Sequence, residues 1–275
     1  MTYPAVSYQG IPGSFSYLAM QEYFNGKVDG LGQRNFKDIF TCLVSGKSNL
    51  AIVPVENSLA GSVYEVYDLL FDFNCHAVGE HYHKVNHNLL TVGSVNQKLE
   101  KVFSHPKALE QCLKYFEGNP DIEKVAFSDT AGAAKYVADS KNPAFAAIAS
   151  KEAAKLYGLH VSKENLEDNA HNFTRFLVLD VKPYQGSDPN KCSLIFTLPH
   201  TPQSLFKAME VISDPKININ KIQSRPIHGK PFEYAFYIDF EFASQDYAFA
   251  GQCLENFAKK VNFIKNLGFY KKAQI

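Results

Sequence analysis

The sequence predicts an α/β protein in two parts: an alternating strand–helix domain, then a ferredoxin-like sandwich with the order βαββαβ. Three observations carry this. From about residue 5 to 180, short apolar runs alternate with stretches whose apolar residues recur at helical spacing, the pattern of strands feeding helices in an α/β sheet. Residues 183–190, Pro-Tyr-Gln-Gly-Ser-Asp-Pro-Asn, are polar and rich in turn formers, as a linker is. Beyond them the periods change order, and the 275 residues suffice for two cores. The chain therefore divides into a domain over 1–182, a linker over 183–190 and a domain over 191–275.

Taken in order, Val6-Ser7-Tyr8 opens as a strand, and a Gly10-Ile11-Pro12-Gly13-Ser14 loop leads into a helix over 16–24, where Tyr17, Met20 and Phe24 share a face. Leu50-Ala51-Ile52-Val53-Pro54 reads as a buried strand ending at proline. A helix over 62–71 follows, with Val63, Val66, Tyr67 and Leu70 on one side. The unit recurs as Lys101-Val102-Phe103 before a helix over 106–116, and as Val125-Ala126-Phe127 before a helix over 130–138. Residues 144–149 and 176–179 supply further strands. In the last domain Leu194, Phe196 and Leu198 alternate; Leu205, Met209 and Ile212 have helical spacing; Ile217 and Ile219 alternate, as do Phe232, Tyr234, Phe236, Ile238 and Phe240. The second helix is expected to be long, its stripe running through Tyr247, Ala250, Leu254, Phe257, Val261 and Ile264.

Composition excludes several function classes. Lysine plus arginine and aspartate plus glutamate number 28 each, so the broad positive field that nucleic acid or anionic lipid requires is missing. The start has no basic segment followed by an apolar one, and no later run is long enough to span a bilayer, so the expected location is the cytoplasm, with no membrane partner. Five widely spaced cysteines without a C-x-x-C pair read as reduced, mostly buried thiols. His81-Tyr82-His83, with His76 and His87 nearby, places two imidazoles on one strand face. No acidic or cysteine ligand stands at a suitable local spacing, and no metal is expected.

Polar side chains concentrate directly after buried strands, where α/β folds place their ligands. The loops are Pro54-Val55-Glu56-Asn57-Ser58, Ser104-His105-Pro106-Lys107 with Gln111 one turn further on, and Ser128-Asp129-Thr130. Any one of them alone reads better as helix capping by Ser58, Ser104, Ser128 or Asp129. Three together point to a cleft for a small anion, without a glycine-rich phosphate loop. In a fourth segment, Asn169 to Leu179, Arg175 stands at the mouth of a buried strand and needs an anionic partner: a ligand carboxylate or an internal acid such as Glu167 or Asp168. These residues describe a two-lobed binder of small acids and do not name a reaction.

Ala51-Ile52-Val53-Pro54-Val55-Glu56-Asn57-Ser58-Leu59-Ala60-Gly61-Ser62-Val63, Ser104-His105-Pro106-Lys107-Ala108-Leu109-Glu110-Gln111-Cys112 and Asn172-Phe173-Thr174-Arg175-Phe176, with Gln9 to Ser16 and Ala147 to Ser150 in support, give the chain a resemblance to the prephenate dehydratases. It implies a catalytic domain of two lobes like type II periplasmic binding proteins, followed by an ACT-type regulatory domain. It also implies conversion of prephenate to phenylpyruvate without a cofactor. Carried over by motif, Thr174 stands at the leaving hydroxyl, Arg175 anchors a carboxylate, and Asn57, Ser104, Gln111, Thr130 and Phe176 line the cleft. Lys107 replaces a glutamine common in the family. The alternatives are an arogenate dehydratase and a non-enzymatic sensor of small acids.

The same resemblance implies a homo-oligomer, dimer or tetramer, and L-phenylalanine as effector. Regulated members carry Gly-Ala-Leu at the first ACT helix and Glu-Ser-Arg-Pro on the next strand. Here the positions read Gln203-Ser204-Leu205 and Gln223-Ser224-Arg225-Pro226, so weakened phenylalanine binding is expected.

Overall fold

Val6, Ser7 and Tyr8 lie in β1 (Ala5–Gln9), and Ser14 caps the following α1 (Phe15–Tyr23) by accepting from the Tyr17 N–H. The computed structural model describes residues 3–94 and 98–274. Next come β2 (Asp29–Gln33), α2 (Phe36–Val44), β3 (Leu50–Asn57), the short β4 (Gly61–Ser62), α3 (Tyr64–Asp72) and β5 (His76–Lys84). The chain crosses to a second sheet through β6 (Asn88–Thr91), β7 (Lys101–Ser104), α4 (Pro106–Glu110), α5 (Leu113–Glu117), β8 (Glu123–Ala126), α6 (Thr130–Ser140), β9 (Phe145–Ala149), α7 (Lys151–Tyr157) and β10 (His160–Lys163). It returns to the first sheet as β11 (Phe173–Asp180).

The first lobe has the strand order β2-β1-β3-β11-β5 and the second β10-β6-β9-β7-β8. β3 is apolar from Leu50 to Val55 because it is central, flanked by parallel β1 and antiparallel β11, with Ala51, Ile52 and Val53 fully buried. The crossings at 85–87 and 164–172 bond to each other, Val85 N–H to the Asn172 carbonyl at 2.8 Å and Leu166 N–H to the His87 carbonyl at 2.7 Å. The lobes also touch where Ser150 Oγ donates to the Gly13 carbonyl (2.8 Å) and the Tyr157 hydroxyl to the Pro12 carbonyl (2.6 Å). Glycine is required at 13: its φ is +90°, and a Cβ would stand 3.0 Å from the Ala153 Cα.

The C-terminal domain contains β12 (Lys191–Thr197), α8 (Ser204–Val211), β13 (Asn218–Pro226), β14 (Tyr234–Glu241), α9 (Tyr247–Ala258) and β15 (Phe263–Tyr270), in the order βαββαβ. Its antiparallel sheet runs β13-β14-β12-β15, a ferredoxin-like arrangement. Cys192, Leu194 and Phe196 point into the core beneath α8 and α9, while Ile195 faces the first lobe together with Tyr237 and Leu267.

Three expectations are corrected. The second helix of this domain stops at Ala258; Val261 lies in a turn and Ile264 in β15, yet both still pack against the same cluster, which extended the helical pattern in the sequence. The helix expected over 106–116 is two helices. Asp168 breaks it: its N–H bonds to the Gln111 carbonyl at 2.7 Å, and its carboxylate caps α5 through the N–H groups of Leu113 (2.8 Å) and Lys114 (3.1 Å). Phe232 does not start the strand, because its φ of +62° belongs to a turn.

Arg175, although on a strand of the first lobe, points into the C-terminal sheet. Its Nε donates to Glu80 (2.7 Å), one Nη to the Tyr270 hydroxyl (3.0 Å) and the other to Asp239. Lys191 donates to the same Glu80 (3.1 Å) and Ser193 to Asp239 (2.6 Å). Burial opposes a charged Asp239, but Arg175, Ser193 and Lys191 outweigh it and hold the carboxyl below its usual range. Removing one partner of such a set leaves a buried charge uncompensated, so Asp239→Ala is expected to lower unfolding free energy by about 3–5 kcal/mol. Because the folded pKa is depressed, the stabilisation from Asp239 is complete above the unfolded value, about 3.9, and is lost as pH falls through the folded value. Thermal melts from pH 7 downwards test both statements; equal stability of wild type and Asp239→Ala at neutral pH contradicts them.

Candidate active site

Thr174, Arg175 and Phe176 are consecutive on an extended strand, so their side chains alternate between faces. Thr174 lies opposite Asn57 of β3 on one side and opposite His83 of β5 on the other, and the three share the face turned towards the second lobe. Arg175 takes the opposite face and ends in the ion network, 6% exposed. In the structure the anionic partners of Arg175 are Glu80 and Asp239, and not the sequence-near Glu167 or Asp168. Phe176 returns to the first face but is 1% exposed, packed with Tyr8, Met20 and Val178 below the site.

Around Thr174 the sequence-predicted residues form one hydrogen-bonded chain. Asn57 Oδ1 accepts from the N–H groups of Leu59 (3.0 Å) and Ala60 (2.9 Å), which fixes the amide orientation. Its Nδ2 consequently faces Thr174 Oγ1 (3.1 Å), Asn172 Oδ1 (2.7 Å) and the Phe173 carbonyl (3.2 Å). Asn172 in turn donates to Gln111 Oε1 at 2.9 Å, and His87 Nε2 reaches the same oxygen at 2.9 Å. Each donor has one direction, so Thr174 Oγ1 accepts from Asn57 and keeps its own proton for another acceptor. Gln111 is aimed by the helix break: it is the C-cap of α4, with its carbonyl tied to Asp168.

His87 is 2% exposed, and burial lowers its pKa, so the ring is neutral at neutral pH. With Nε2 donating to Gln111, Nδ1 is a buried acceptor without a partner among the described residues. Sequence reasoning listed His87 among the neighbours of a discarded metal site and did not connect it to Gln111. Its signal was its place at the crossing between lobes. Asn172 stood inside a quoted motif and was given no role.

Not every predicted residue joins this chain. Ser104 is fully buried and donates to the Ile148 carbonyl at 2.6 Å. Thr130 is 7% exposed in the first turn of α6, which Asp129 caps through the Gly132 N–H at 2.7 Å. Ser58 caps no helix: it accepts from the Phe173 N–H at 3.0 Å and donates to the His171 carbonyl at 2.9 Å, pinning β11 to the loop after β3. Lys107 is exposed and paired with Glu110.

The regulatory candidates lie in the C-terminal domain. Gln203 sits before α8 with φ +68°, a left-handed backbone that costs a non-glycine residue about 1 kcal/mol. Ser204 and Leu205 border a cavity of about 810 Å³. Gln223 accepts from Ser62 Oγ at 3.1 Å, and Arg225 grips Asp68 of α3 through two bonds of 3.0 and 2.6 Å. Arg225 and Pro226 border a separate cavity of about 640 Å³ against the first lobe. Arg225 therefore needs no acid at 223 to hold it.

Fold and site together define a two-lobed α/β enzyme with an appended ferredoxin-like domain. The family model described as prephenate dehydratase matches residues 6–184. The chain is 36% identical over 282 residues to arogenate dehydratase/prephenate dehydratase 1, chloroplastic, of Arabidopsis thaliana, covering 96% of this chain and 71% of the relative. It is 32% identical over 277 residues to the bifunctional chorismate mutase/prephenate dehydratase of Escherichia coli (strain K12), covering 98% and 71%. Among solved structures, one described as GqqA, a novel type of quorum quenching acylase, superposes with a TM-score of 0.87 at 28% identity over 98% of both chains. A prephenate dehydratase from Arthrobacter aurescens in complex with L-Phe gives a TM-score of 0.86 at 22% identity, over 97% of this chain and 89% of that one. The chain belongs to the prephenate dehydratase family.

Proposed function

We propose that this enzyme removes water and carbon dioxide from prephenate to give phenylpyruvate, with Thr174 donating a hydrogen bond to the leaving hydroxyl. The observation that carries the assignment is the Asn57–Thr174 hydrogen bond, which occupies a lone pair of Oγ1 and leaves its proton free. Loss of the ring carboxylate supplies the electron pair that expels the hydroxyl, and the ring becomes aromatic. The leaving oxygen takes up one proton as water forms. A threonine hydroxyl is a weak acid, so Thr174 acts as a donor whose bond strengthens while charge grows on the oxygen.

With Arg175 engaged behind the sheet, recognition of the substrate carboxylates passes to neutral donors. Gln111, oriented by its bonds to Asn172 and His87, and the first-turn N–H groups of α6 at Thr130 are the groups we assign to it. Ser104 and Phe176 shape the site from beneath. Arogenate, which carries an amine in place of the keto group, is the second substrate to test, because the plant relatives are named for it.

Purified protein is expected to convert prephenate without added metal or nucleotide, and Thr174→Ala to lower kcat by about a hundredfold or more with little change in KM. Steady-state assays on prephenate and arogenate check this. Inactivity on both substrates, or near-normal kcat in the variant, contradicts the assignment.

We read the C-terminal domain as an ACT-type regulatory domain with weakened affinity for phenylalanine. The support is its βαββαβ order, the Ser224-Arg225-Pro226 segment, and Gln203 in a backbone conformation that suits glycine. A lost charge-assisted contact at Gln223 costs about 1.5–3 kcal/mol, or about ten- to hundredfold in affinity. Calorimetry is expected to show weak phenylalanine binding that Gln203→Gly with Gln223→Glu strengthens; micromolar binding by the unmodified chain overturns the reading.

Within one chain the two motif halves line different cavities, which fits an effector site completed by a second copy. The exposed Phe206, Ile222 and Tyr234 offer apolar surface for a homo-oligomer. Sedimentation at micromolar concentration is expected to show a dimer or larger, and a monomer contradicts this.

A further inference from the structure

His81 and His83 stand on one face of β5, and the structure brings them an acid that no local spacing in the sequence provides. Glu22, in the last turn of α1, places Oε2 2.7 Å from His81 Nε2 and 2.8 Å from His83 Nδ1. The three donor atoms all lie within 4.8 Å of one another. We propose that Glu22, His81 and His83 form a binding site for a divalent cation of the zinc class, and that zinc bound there inhibits turnover. The inhibitory half rests on the dehydratase reading above; the binding half does not.

The donor set and its geometry favour this ion. Two imidazoles and one carboxylate with a further position open is a recurrent zinc arrangement. Around a tetrahedral ion with bonds of about 2.0–2.1 Å, neighbouring donors stand about 3.3 Å apart. The present contacts therefore need to open by about half an ångström, a small rotation of a Glu22 side chain that is 48% exposed. His83 is held more firmly, 7% exposed and against the Phe15 ring at 5.8 Å.

Position supplies the link to activity. His83 is the direct cross-strand partner of Thr174, and such pairs have Cβ atoms about 4.5–5.5 Å apart on one face. An ion held by His83 therefore adjoins the hydroxyl assigned to the leaving group, and its open coordination position attracts a substrate carboxylate into an unproductive pose.

The test uses the full chain freed of metal by dialysis against a chelator. Zinc sulfate titrated into wild type in a calorimeter should give one ion per chain with micromolar affinity. Glu22→Gln and His81→Ala should each weaken binding by about tenfold or more. Prephenate turnover should fall along the same isotherm and recover with chelator, while Glu22→Gln, an exposed and conservative change, keeps its turnover and loses its sensitivity to zinc. No one-to-one binding, or binding unchanged in both variants, overturns the site and leaves a hydrogen-bonded Glu–His cluster. Stoichiometric binding without inhibition overturns the link to Thr174. If the protein turned over no prephenate, the calorimetric arm would still decide whether the site exists.

Discussion

The buried pairing of Arg175 with Glu80 and Asp239 is the interaction on which the arrangement depends. It joins β5 and β11 of the first lobe to β12, β14 and β15 of the C-terminal sheet, since Lys191 and Ser193 bond to the same acids and the Tyr270 hydroxyl bonds to Arg175 and Ser193. A guanidinium taken out of water costs several kcal/mol unless it is fully paired, so Arg175 is committed to that side of the sheet. Strand alternation then commits Thr174 to the other side, facing the second lobe. The position of the Thr174 hydroxyl and the docking of the C-terminal domain are consequences of one choice of strand face. Lys265 adds a second tie across the same seam, donating to the Leu70, Phe71 and Phe73 carbonyls at the end of α3.

On the cleft face the organising device is a chain of amides, each with one permitted orientation. Two backbone N–H groups fix Asn57, Asn57 fixes Asn172, and Asn172 with His87 fixes Gln111. A chain of neutral groups suits a reaction in which carboxylate charge leaves as carbon dioxide while charge develops at a hydroxyl. It positions donors without a strong cation that would hold the departing carboxylate. The chain runs across both crossings between the lobes.

Much of the architecture was legible in the sequence, and the exceptions have physical causes. β3 declared itself through an unbroken apolar run, and the C-terminal domain through period-two alternation. The Gly30 and Gly32 edge strand β2 gave no such signal. It carries little apolar side chain, because β1 needs close approach there: a Cβ at Gly30 would stand 3.0 Å from the Tyr8 ring. The motif residues Asn57, Gln111 and Thr174 were found as a set, but motif order says nothing of which face a side chain takes. The acids that pair with Arg175 lie 95 and 64 residues away, beyond any local pattern. The same limit concealed Glu22, 59 and 61 residues from the histidines it joins. Long-range pairing of polar groups is set by topology, and topology was the part the sequence pattern left least determined.

The central claim is that Thr174 meets the substrate while Arg175 remains a structural partner of Asp239 and Glu80. A crystal structure of the protein with a non-reactive prephenate analogue tests it directly. The account predicts Thr174 Oγ1 within hydrogen-bond distance of the analogue's ring hydroxyl, Asn57 still donating to that oxygen, and Arg175 unmoved in its buried pairs. An Arg175 side chain turned through the sheet onto a carboxylate of the analogue, with Asp239 left unpaired, would contradict it.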